Sequence, residues 1–329
     1  MIAVVGCGRW GRNVVRDLIG LDCDVIAIDP SDDARGDATA LGAVAAYTSM
    51  SDYPDDDALH GVVVAGPTRE HAQLARTALG RGVPVFVEKP LTDDVASARS
   101  LVDLGGDRLF VMHKWHYHPG IEALAGLASG GQLGRVQGVT SERAGEADWS
   151  DDTDVLWLLG PHEVTIGSRI LGGFPDRVDA VADVVSGRLR GVDVIARWAD
   201  GRWHRWTIST RPEPHRRRVI VHGTDGHAIL PDAYAEEVEL SWAPDGGANR
   251  RELVPIEQEP PLVRELRSFR DHLLGGPPPP TPGSHGLAVI KVLADVRDSA
   301  CLPPGSIGVP MTPNGSGGRI RTYDPGWPV

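Results

Sequence analysis

The first 115 residues alternate short apolar runs with segments of helical spacing. Five runs are almost wholly apolar, which is typical of strands buried on both faces. These runs are Ile2–Val5, Val25–Ile28, Val62–Ala65, Val83–Val87 and Leu109–Met112. The helices predicted between them are Arg12–Ile19, Glu70–Gly80 and Asp93–Leu104. Because strands and helices alternate, this part of the chain predicts an α/β fold with a parallel, doubly wound Rossmann sheet.

The pattern changes after Pro119, where strand-like segments follow one another closely with turn signals between them. The predicted strands are Val178–Ser186, Asp193–Ala199, Arg202–Thr210, Arg217–His222, His227–Leu230, Val238–Trp242 and Glu252–Ile256. The predicted helices are Ile121–Ser129, Asp154–Leu171, Arg264–Leu274 and His285–Ala300. This order predicts a C-terminal α+β domain built on a large, mostly antiparallel open sheet, which is a plausible surface for homo-oligomers.

These patterns divide the chain into three parts. We predict a nucleotide-binding domain at residues 1–116 and a substrate and oligomerisation domain at residues 117–311. Residues 312–329 are rich in Gly, Pro and Ser and predict a disordered tail. The proline-rich segment Gly275–Pro282 predicts a stiff linker.

Composition narrows the class of protein. The 329 residues carry 33 basic and 45 acidic side chains, a formal net charge of −12, which argues against a general nucleic-acid or anionic-membrane binder. Three cysteines without a metal-ligand spacing are typical of reduced thiols, and neither a signal peptide nor a membrane span is recognisable, so we expect a cytoplasmic protein.

A glycine-rich turn, Gly-Cys-Gly-Arg-Trp-Gly, follows the first apolar run and precedes a helix. In that context Gly6 permits a tight turn, Gly8 lets a pyrophosphate approach the backbone, and Gly11 lets the helix pack on the strand. The helix N-terminus attracts the phosphates. The turn therefore predicts a dinucleotide site, with Arg9 and Trp10 in contact with the cofactor.

An acidic residue ends the second apolar run. Asp29 lies 18 residues after Gly11, close to the ~20 expected for the acid that binds the ribose hydroxyls. A carboxylate there repels a 2′-phosphate, and the only nearby cation is Arg35. NAD is therefore favoured over NADP as the cofactor, although Asp29 as a simple loop acid or helix cap stays open.

Two further motifs end predicted strands: Ala65–His71 reads AGPTREH, and Phe86–Leu91 reads FVEKPL. Together with the glycine-rich turn they resemble the Gfo/Idh/MocA oxidoreductase family, and the resemblance extends to about residue 310. It implies a nucleotide-binding domain followed by an α+β substrate domain.

Other segments resemble the sugar-nucleotide branch of this family. They are Trp10–Asn13, His113–Pro119, Gly131–Val136, Asp154–Trp157 and Gly160–His162. Members of that branch oxidise the C3 hydroxyl of a nucleoside-diphosphate sugar or reduce a keto-sugar. The resemblance implies a nucleotide-sugar substrate and a dimeric or tetrameric assembly, in amino-sugar or secondary-metabolite biosynthesis.

The resemblance also implies which side chains do the chemistry. Lys89 and His162 take the catalytic positions, because hydride loss from a carbinol needs a neutral amine or imidazole to accept the hydroxyl proton. The further cofactor contacts are Pro67, Thr68, His71, Glu88 and Lys89 itself. The substrate contacts are His113, Tyr117, His118, Arg143 at the end of a strand, Trp157 and His162.

Position 158 departs from the family pattern. Many members carry an aspartate there, four residues before the histidine, whereas this chain has Leu158. Three interpretations stay open. Lys89 and His162 suffice; another acid substitutes, although Asp154 and Glu163 are both poorly placed; or the chemistry has changed or been lost.

Three histidines surround Lys114: His113, His116 and His118. Since no further ligand of matching spacing follows, we predict no metal site. The main prediction is thus an NAD-dependent dehydrogenase acting on CH–OH groups. The alternatives are an NAD(P)H-dependent reductase of a keto-sugar, imine or other carbonyl compound, and a cofactor-binding protein without turnover.

Overall fold

The computed structural model describes residues 1–54, 59–145, 154–212, 214–243 and 247–302. The predicted tail from residue 312 lies outside the described residues. No helix in the described part of the chain is both long and apolar enough to cross a membrane.

The N-terminal part forms a six-stranded parallel sheet with the order β3-β2-β1-β4-β5-β6. Its strands are β1 (Ile2–Val5), β2 (Val25–Ile28), β3 (Ala45–Tyr47), β4 (Gly61–Val64), β5 (Val85–Glu88) and β6 (Leu109–Met112). Its helices are α1 (Gly11–Gly20), α2 (Asp32–Leu41), α3 (His71–Leu79) and α4 (Val95–Gly105). The predicted Rossmann fold is confirmed, and the two elements without a predicted range, α2 and β3, are the least hydrophobic ones.

The order of the strands locates the ligand crevice. Strands β2 and β3 are added on one side of β1 and strands β4 to β6 on the other, so the strand order reverses between β1 and β4. Ligands bind outside the carboxyl ends of the strands at such a switch point. The glycine-rich turn, the segment after β4 and the Glu-Lys-Pro segment after β5 all lie at this edge.

The second sheet has eight strands in the order β14-β13-β12-β11-β7-β10-β9-β8, and only the β7–β10 pair is parallel. Its strands are β7 (Val136–Ala144), β8 (Arg177–Val185), β9 (Arg188–Arg197), β10 (Trp203–Ser209), β11 (Arg216–Gly223), β12 (Gly226–Leu230), β13 (Glu237–Trp242) and β14 (Arg250–Pro255). The predicted α+β class is confirmed. Only the end of β7 was predicted, at Arg143, because the rest of this central strand is too polar to show a strand pattern.

Two helices cover one face of this sheet: α5 (Pro119–Ser129) and α6 (Val155–Leu171). Glycines let α6 approach its neighbours closely. A Cβ on Gly160 would lie 2.7 Å from Leu293, and one on Gly167 would lie 2.5 Å from the His204 ring. The backbone of α6 is therefore held tightly against the sheet and against the last helix.

The last two helices, α7 (Pro261–Leu273) and α8 (Gly283–Ser299), return to the first sheet. Phe269 of α7 packs against Phe86 and Phe110, with ring centroids 5.0 and 6.4 Å away. The proline-rich connection is also tied to β6, since Val111 N donates to the Thr281 carbonyl at 2.9 Å. These helices complete the layers of the first domain, although the predicted division assigns them to the second.

Candidate active site

The glycine-rich turn is shaped for close approach of a ligand. Gly6 has a φ of +91°, and a Cβ on Gly11 would lie 1.8 Å from the Gly6 carbonyl oxygen. A Cβ on Gly8, by contrast, would meet nothing within 4 Å. Because α1 begins at Gly11, the turn and the helix N-terminus together fit a pyrophosphate.

Asp29 is held against this turn. Its carboxylate accepts hydrogen bonds from Cys7 N at 2.7 Å and from Ser31 N at 2.8 Å. The Arg35 guanidinium donates to the Asp29 carbonyl oxygen and pairs with Asp32. Arg35, the cation next to Asp29, is thus engaged with oxygens of the protein.

Lys89 lies directly after β5, at the mouth of the crevice. Its Nζ donates to the backbone carbonyl oxygen of Leu158 at 3.3 Å. Burial and the positive charge of Arg143 lower the pKa of Lys89, while Glu88 opposes this change. The ammonium is therefore positioned by the backbone of α6, whatever side chain stands at position 158.

His162 lies one turn further along α6. Burial lowers its pKa well below the usual value, and the charges of Lys89 and Arg143 add to this effect. Its Nδ1 has no hydrogen-bond partner among the described residues. The imidazole is neutral at ordinary pH and can form a hydrogen bond with a ligand.

A second lysine lies beside the same site. The Lys114 ammonium is 5.3 Å from the centre of the Trp10 ring. Burial lowers the pKa of Lys114 to about 8 and raises the pKa of Glu88 to about 7. Sequence reasoning did not place Lys114 in the site; its one signal was the rarity of lysine, with three in the whole chain.

Arg143 is part of a buried network. Its Nε donates to Glu163 at 2.6 Å, and the Ser141 hydroxyl donates to the other oxygen of Glu163 at 2.5 Å. Since the hydroxyl proton is committed there, the His204 Nε2–H donates to Ser141 Oγ at 2.8 Å. Glu163 is therefore the counterion of Arg143, a role that sequence reasoning did not find.

Trp115 lies between Arg143 and the predicted catalytic residue His162. The Arg143 guanidinium lies 4.2 Å from the centre of the Trp115 ring. Trp115 also stacks on His118, with ring centroids 4.6 Å apart, and its ring centroid lies 6.4 Å from that of His162. The cleft wall thus runs from Lys89 and His162 to Arg143.

Several predicted contact residues are engaged with protein atoms. His71 has its two ring nitrogens 2.8 and 2.9 Å from the carbonyl oxygens of Pro90 and Gly66, and so ties the ends of β4 and β5 together. The His118 Nε2–H donates to the Ala233 carbonyl, while its Nδ1 accepts from a backbone N–H in α5. These bonds hold the His71 and His118 rings in place. Direct contact of either ring with cofactor or substrate stays a prediction.

Three others lie in protein surroundings as well. The Tyr117 hydroxyl is 3.1 Å from Thr281 Oγ1, and Trp157 is buried in the core. His113 packs its ring 5.1 Å from His285, and neither of its nitrogens has a partner among the described residues. Arg9 and Pro67 are exposed at the edge of the crevice, and Thr68 is half-buried there. No group of three or more His, Cys, Asp or Glu residues in the described ranges has a metal-binding arrangement.

The comparisons with known proteins agree with this geometry. Residues 1–108 match the sequence model of an oxidoreductase family with an NAD-binding Rossmann fold. D-xylose 1-dehydrogenase (NADP(+)) 2 of Haloferax volcanii is 27% identical over 325 residues, which cover 91% of this chain and 97% of that protein. The N-terminal third of the chain is thus similar to the Gfo/Idh/MocA oxidoreductase family.

Other known proteins resemble parts of the chain or its fold. Inositol 2-dehydrogenase of Streptomyces avermitilis is 30% identical over 181 residues, covering 48% of this chain and 53% of that protein. The structure of UDP-N-acetylglucosamine 3-dehydrogenase from Acidithiobacillus ferrooxidans superposes with a TM-score of 0.78. Its 22% identity, over 91% of this chain and 96% of that one, establishes the shared fold alone. The predicted resemblance to this family is confirmed.

Proposed function

We propose that this protein is an NAD-dependent dehydrogenase of the Gfo/Idh/MocA family, which oxidises a CH–OH group of a sugar-type substrate. One observation carries the proposal: Lys89 lies at the mouth of the dinucleotide crevice, with a lowered pKa, on the backbone carbonyl of Leu158. Bound NAD⁺ supplies the nicotinamide that accepts the hydride. Lys89, in its neutral form, accepts the proton of the reacting hydroxyl.

His162 is the second group of this mechanism. Its neutral imidazole accepts a hydrogen bond from the substrate hydroxyl and keeps that hydroxyl oriented toward Lys89. Because burial favours the neutral forms of both side chains, the site is better suited to remove a proton than to supply one. This asymmetry favours oxidation over the alternative reduction of a keto-sugar or imine.

The same contacts support the first of the three interpretations of position 158. The backbone carbonyl, rather than a side chain, holds the Lys89 ammonium, so Leu158 leaves the base in place. Asp154 is engaged elsewhere, because its carboxylate caps α6 and pairs with Arg297. Glu163 is committed to Arg143 and Ser141. Neither acid is therefore available as a substitute.

We infer that NAD is the preferred cofactor. Asp29 faces the turn where the adenosine ribose binds in this fold, and Arg35 is engaged with Asp32. The substrate is proposed to be a nucleoside-diphosphate sugar oxidised at C3, on the resemblance of five segments to that branch. The curated relatives are named for other substrates, D-xylose and inositol.

A homo-oligomer paired through the second sheet is part of this proposal. The face of that sheet opposite α5 and α6 exposes aliphatic side chains beside charged ones. Val181, Ile195 and Leu253 are 69%, 37% and 57% exposed there. Sedimentation of the purified protein at several concentrations tests for dimers and tetramers.

Calorimetric titration with NAD⁺, NADH, NADP⁺ and NADPH, followed by a screen of UDP- and TDP-sugars for hydride transfer, tests the proposed function. We expect tighter binding of NAD(H), and turnover that falls at least ~100-fold in Lys89→Ala and His162→Ala with NADH affinity retained. Lys291→Ala, an exposed lysine on α8, serves as the matched control and keeps full activity.

Each contrary result has a distinct meaning. A preference for NADPH would overturn the Asp29 argument, and turnover only in the direction of carbonyl reduction would favour the reductase. Tight NADH binding without exchange on any sugar or carbonyl compound would identify a cofactor-binding protein without turnover.

A further inference from the structure

Two arginines stand side by side on the wall of the cleft. Arg143 of β7 and Arg217 of β11 are register partners in the antiparallel β7–β11 pair, so their side chains leave the sheet on the same face. That face is the inner one, because Val219 and Val221, which alternate with less buried residues along β11, are buried.

Directly opposed like charges destabilise a sheet. Here only one of the two has a counterion within the described part of the chain. Glu163 accepts from Arg143 Nε, and the two terminal nitrogens of that guanidinium donate to no acceptor among the described residues. Arg217 is half-buried and has no acidic partner within the same ranges. The pair therefore carries one uncompensated positive charge.

The position of the pair relates it to the reacting groups. Arg143 stacks on Trp115, whose ring lies 6.4 Å from that of His162. The positive charge of Arg143 contributes to lowering the pKa values of Lys89 and His162. The positive charge of Arg217 acts in the same way on Arg143. Arg143 on β7 and Arg217 on the neighbouring β11 thus extend the cleft wall away from the proposed site of hydride transfer.

The residue at position 158 leaves the net positive charge of the cleft larger. Where many relatives carry an aspartate, this chain has an alkyl side chain, which removes one negative charge. The cationic side chains described in the cleft, Lys89, Lys114, Arg143 and Arg217, then outnumber the acids Glu88 and Glu163. A cleft with excess positive charge and two neighbouring guanidinium groups is suited to bind anionic oxygens in several hydrogen bonds at once.

We propose that a phosphoryl or carboxylate group of the substrate binds between Arg143 and Arg217. This inference rests on the proposed function and names the chemistry that sets its specificity. Two sources supply such oxygens: the diphosphate of a nucleotide sugar, or the carboxylate of a sugar acid. A neutral sugar or polyol lacks the group and is discriminated against.

Equilibrium titration of the NADH-bound protein with UDP, with D-glucuronate and with D-glucose tests the proposal without requiring turnover. We expect one of the two anions to bind and glucose not to bind at the same concentrations. Arg217→Ala should weaken the bound anion about 10- to 100-fold, the loss typical of a charged hydrogen-bonding group. Arg217→Lys should recover part of this loss.

Arg218→Ala is the matched control, because it removes the same charge from the adjacent residue, which faces the opposite side of the sheet and is exposed. It should bind the anion as the unmodified protein does. NADH affinity reports the integrity of every variant. Binding of UDP would identify the diphosphate as the ligand group, and binding of glucuronate would identify the carboxylate.

The proposal is overturned if neither anion binds, or if Arg217→Ala and Arg218→Ala bind it equally well. Arginine-dependent anion binding in a protein that transfers no hydride would contradict the proposed function alone. The two failures are thereby distinguished.

Discussion

Position 158 shows how a backbone atom replaces an expected side chain. The family pattern places a carboxylate one helical turn before His162, and its absence suggests impaired chemistry from the sequence alone. In the structure the Leu158 carbonyl oxygen accepts from Lys89 Nζ at 3.3 Å, so the lysine is oriented without it. What the leucine changes is the charge around the lysine and therefore its proton affinity.

Leu158→Asp should shift the pH dependence of oxidation upward. A new carboxylate beside Lys89 favours the ammonium form, so the pKa of Lys89 rises and its neutral form is reached only at higher pH. Because oxidation needs the neutral amine, the rising limb of the rate against pH moves in the same direction. Steady-state rates over a pH series measure this shift.

Leu158→Asn is the control for this change, since it has the same shape as the aspartate without the charge. It should keep the original pH profile. Identical profiles for the two variants would contradict the assignment of Lys89 as the base, or its proximity to position 158.

At the scale of elements, α6 positions both of the proposed catalytic groups, Lys89 and His162. Its start is fixed by Asp154, whose carboxylate accepts from Leu156 N and Trp157 N at 3.0 and 3.1 Å. The same carboxylate pairs with Arg297 of α8 at 2.5 Å. From this anchored end the helix carries both the carbonyl that holds Lys89 and the His162 ring.

Asp154→Ala should therefore destabilise the protein by about 1–2 kcal/mol, through loss of the helix cap and of the partly buried ion pair. Asp154→Asn should lose less, since asparagine caps helices as well as aspartate does. Urea denaturation with a common m-value measures both changes. Equal losses in the two variants would show that the ion pair, and not the cap, is the stabilising contact.

At the scale of the whole molecule, the chain returns to its first domain. The α7 and α8 helices cover opposite faces of the Rossmann sheet, although some 150 residues of the second domain separate them from it. Phe269 of α7 is fully buried against Phe86 and Phe110. The α7 and α8 helices thus connect the second domain to the first, one on each face of the Rossmann sheet.

Phe269→Ala should cost about 3–5 kcal/mol of unfolding free energy, as expected for a large buried side chain. Leu274→Ala, at the end of the same helix and 78% exposed, should change stability little. Denaturant unfolding followed by fluorescence compares them. A small effect of Phe269→Ala would show that α7 is not part of the cooperative core of the first domain.

The sequence by itself determined the Rossmann domain and most strands of the second sheet, and it predicted the family resemblance and the pair Lys89 and His162. These rest on local signals: apolar runs with turn residues between them, a glycine-rich turn before a helix, and short motifs at strand ends. Such signals lie in consecutive residues and do not depend on contacts between distant parts of the chain.

Only the tertiary structure decided which groups act on one another. The bond from Lys89 to a carbonyl 69 positions away, the Arg143–Glu163 pair and the opposition of Arg143 and Arg217 all join separate elements. Burial, which lowers the pKa values of Lys89 and His162, is likewise a property of the packed molecule. Hydrogen bonds and desolvation depend on distance in space, and a linear pattern of residue types does not contain it.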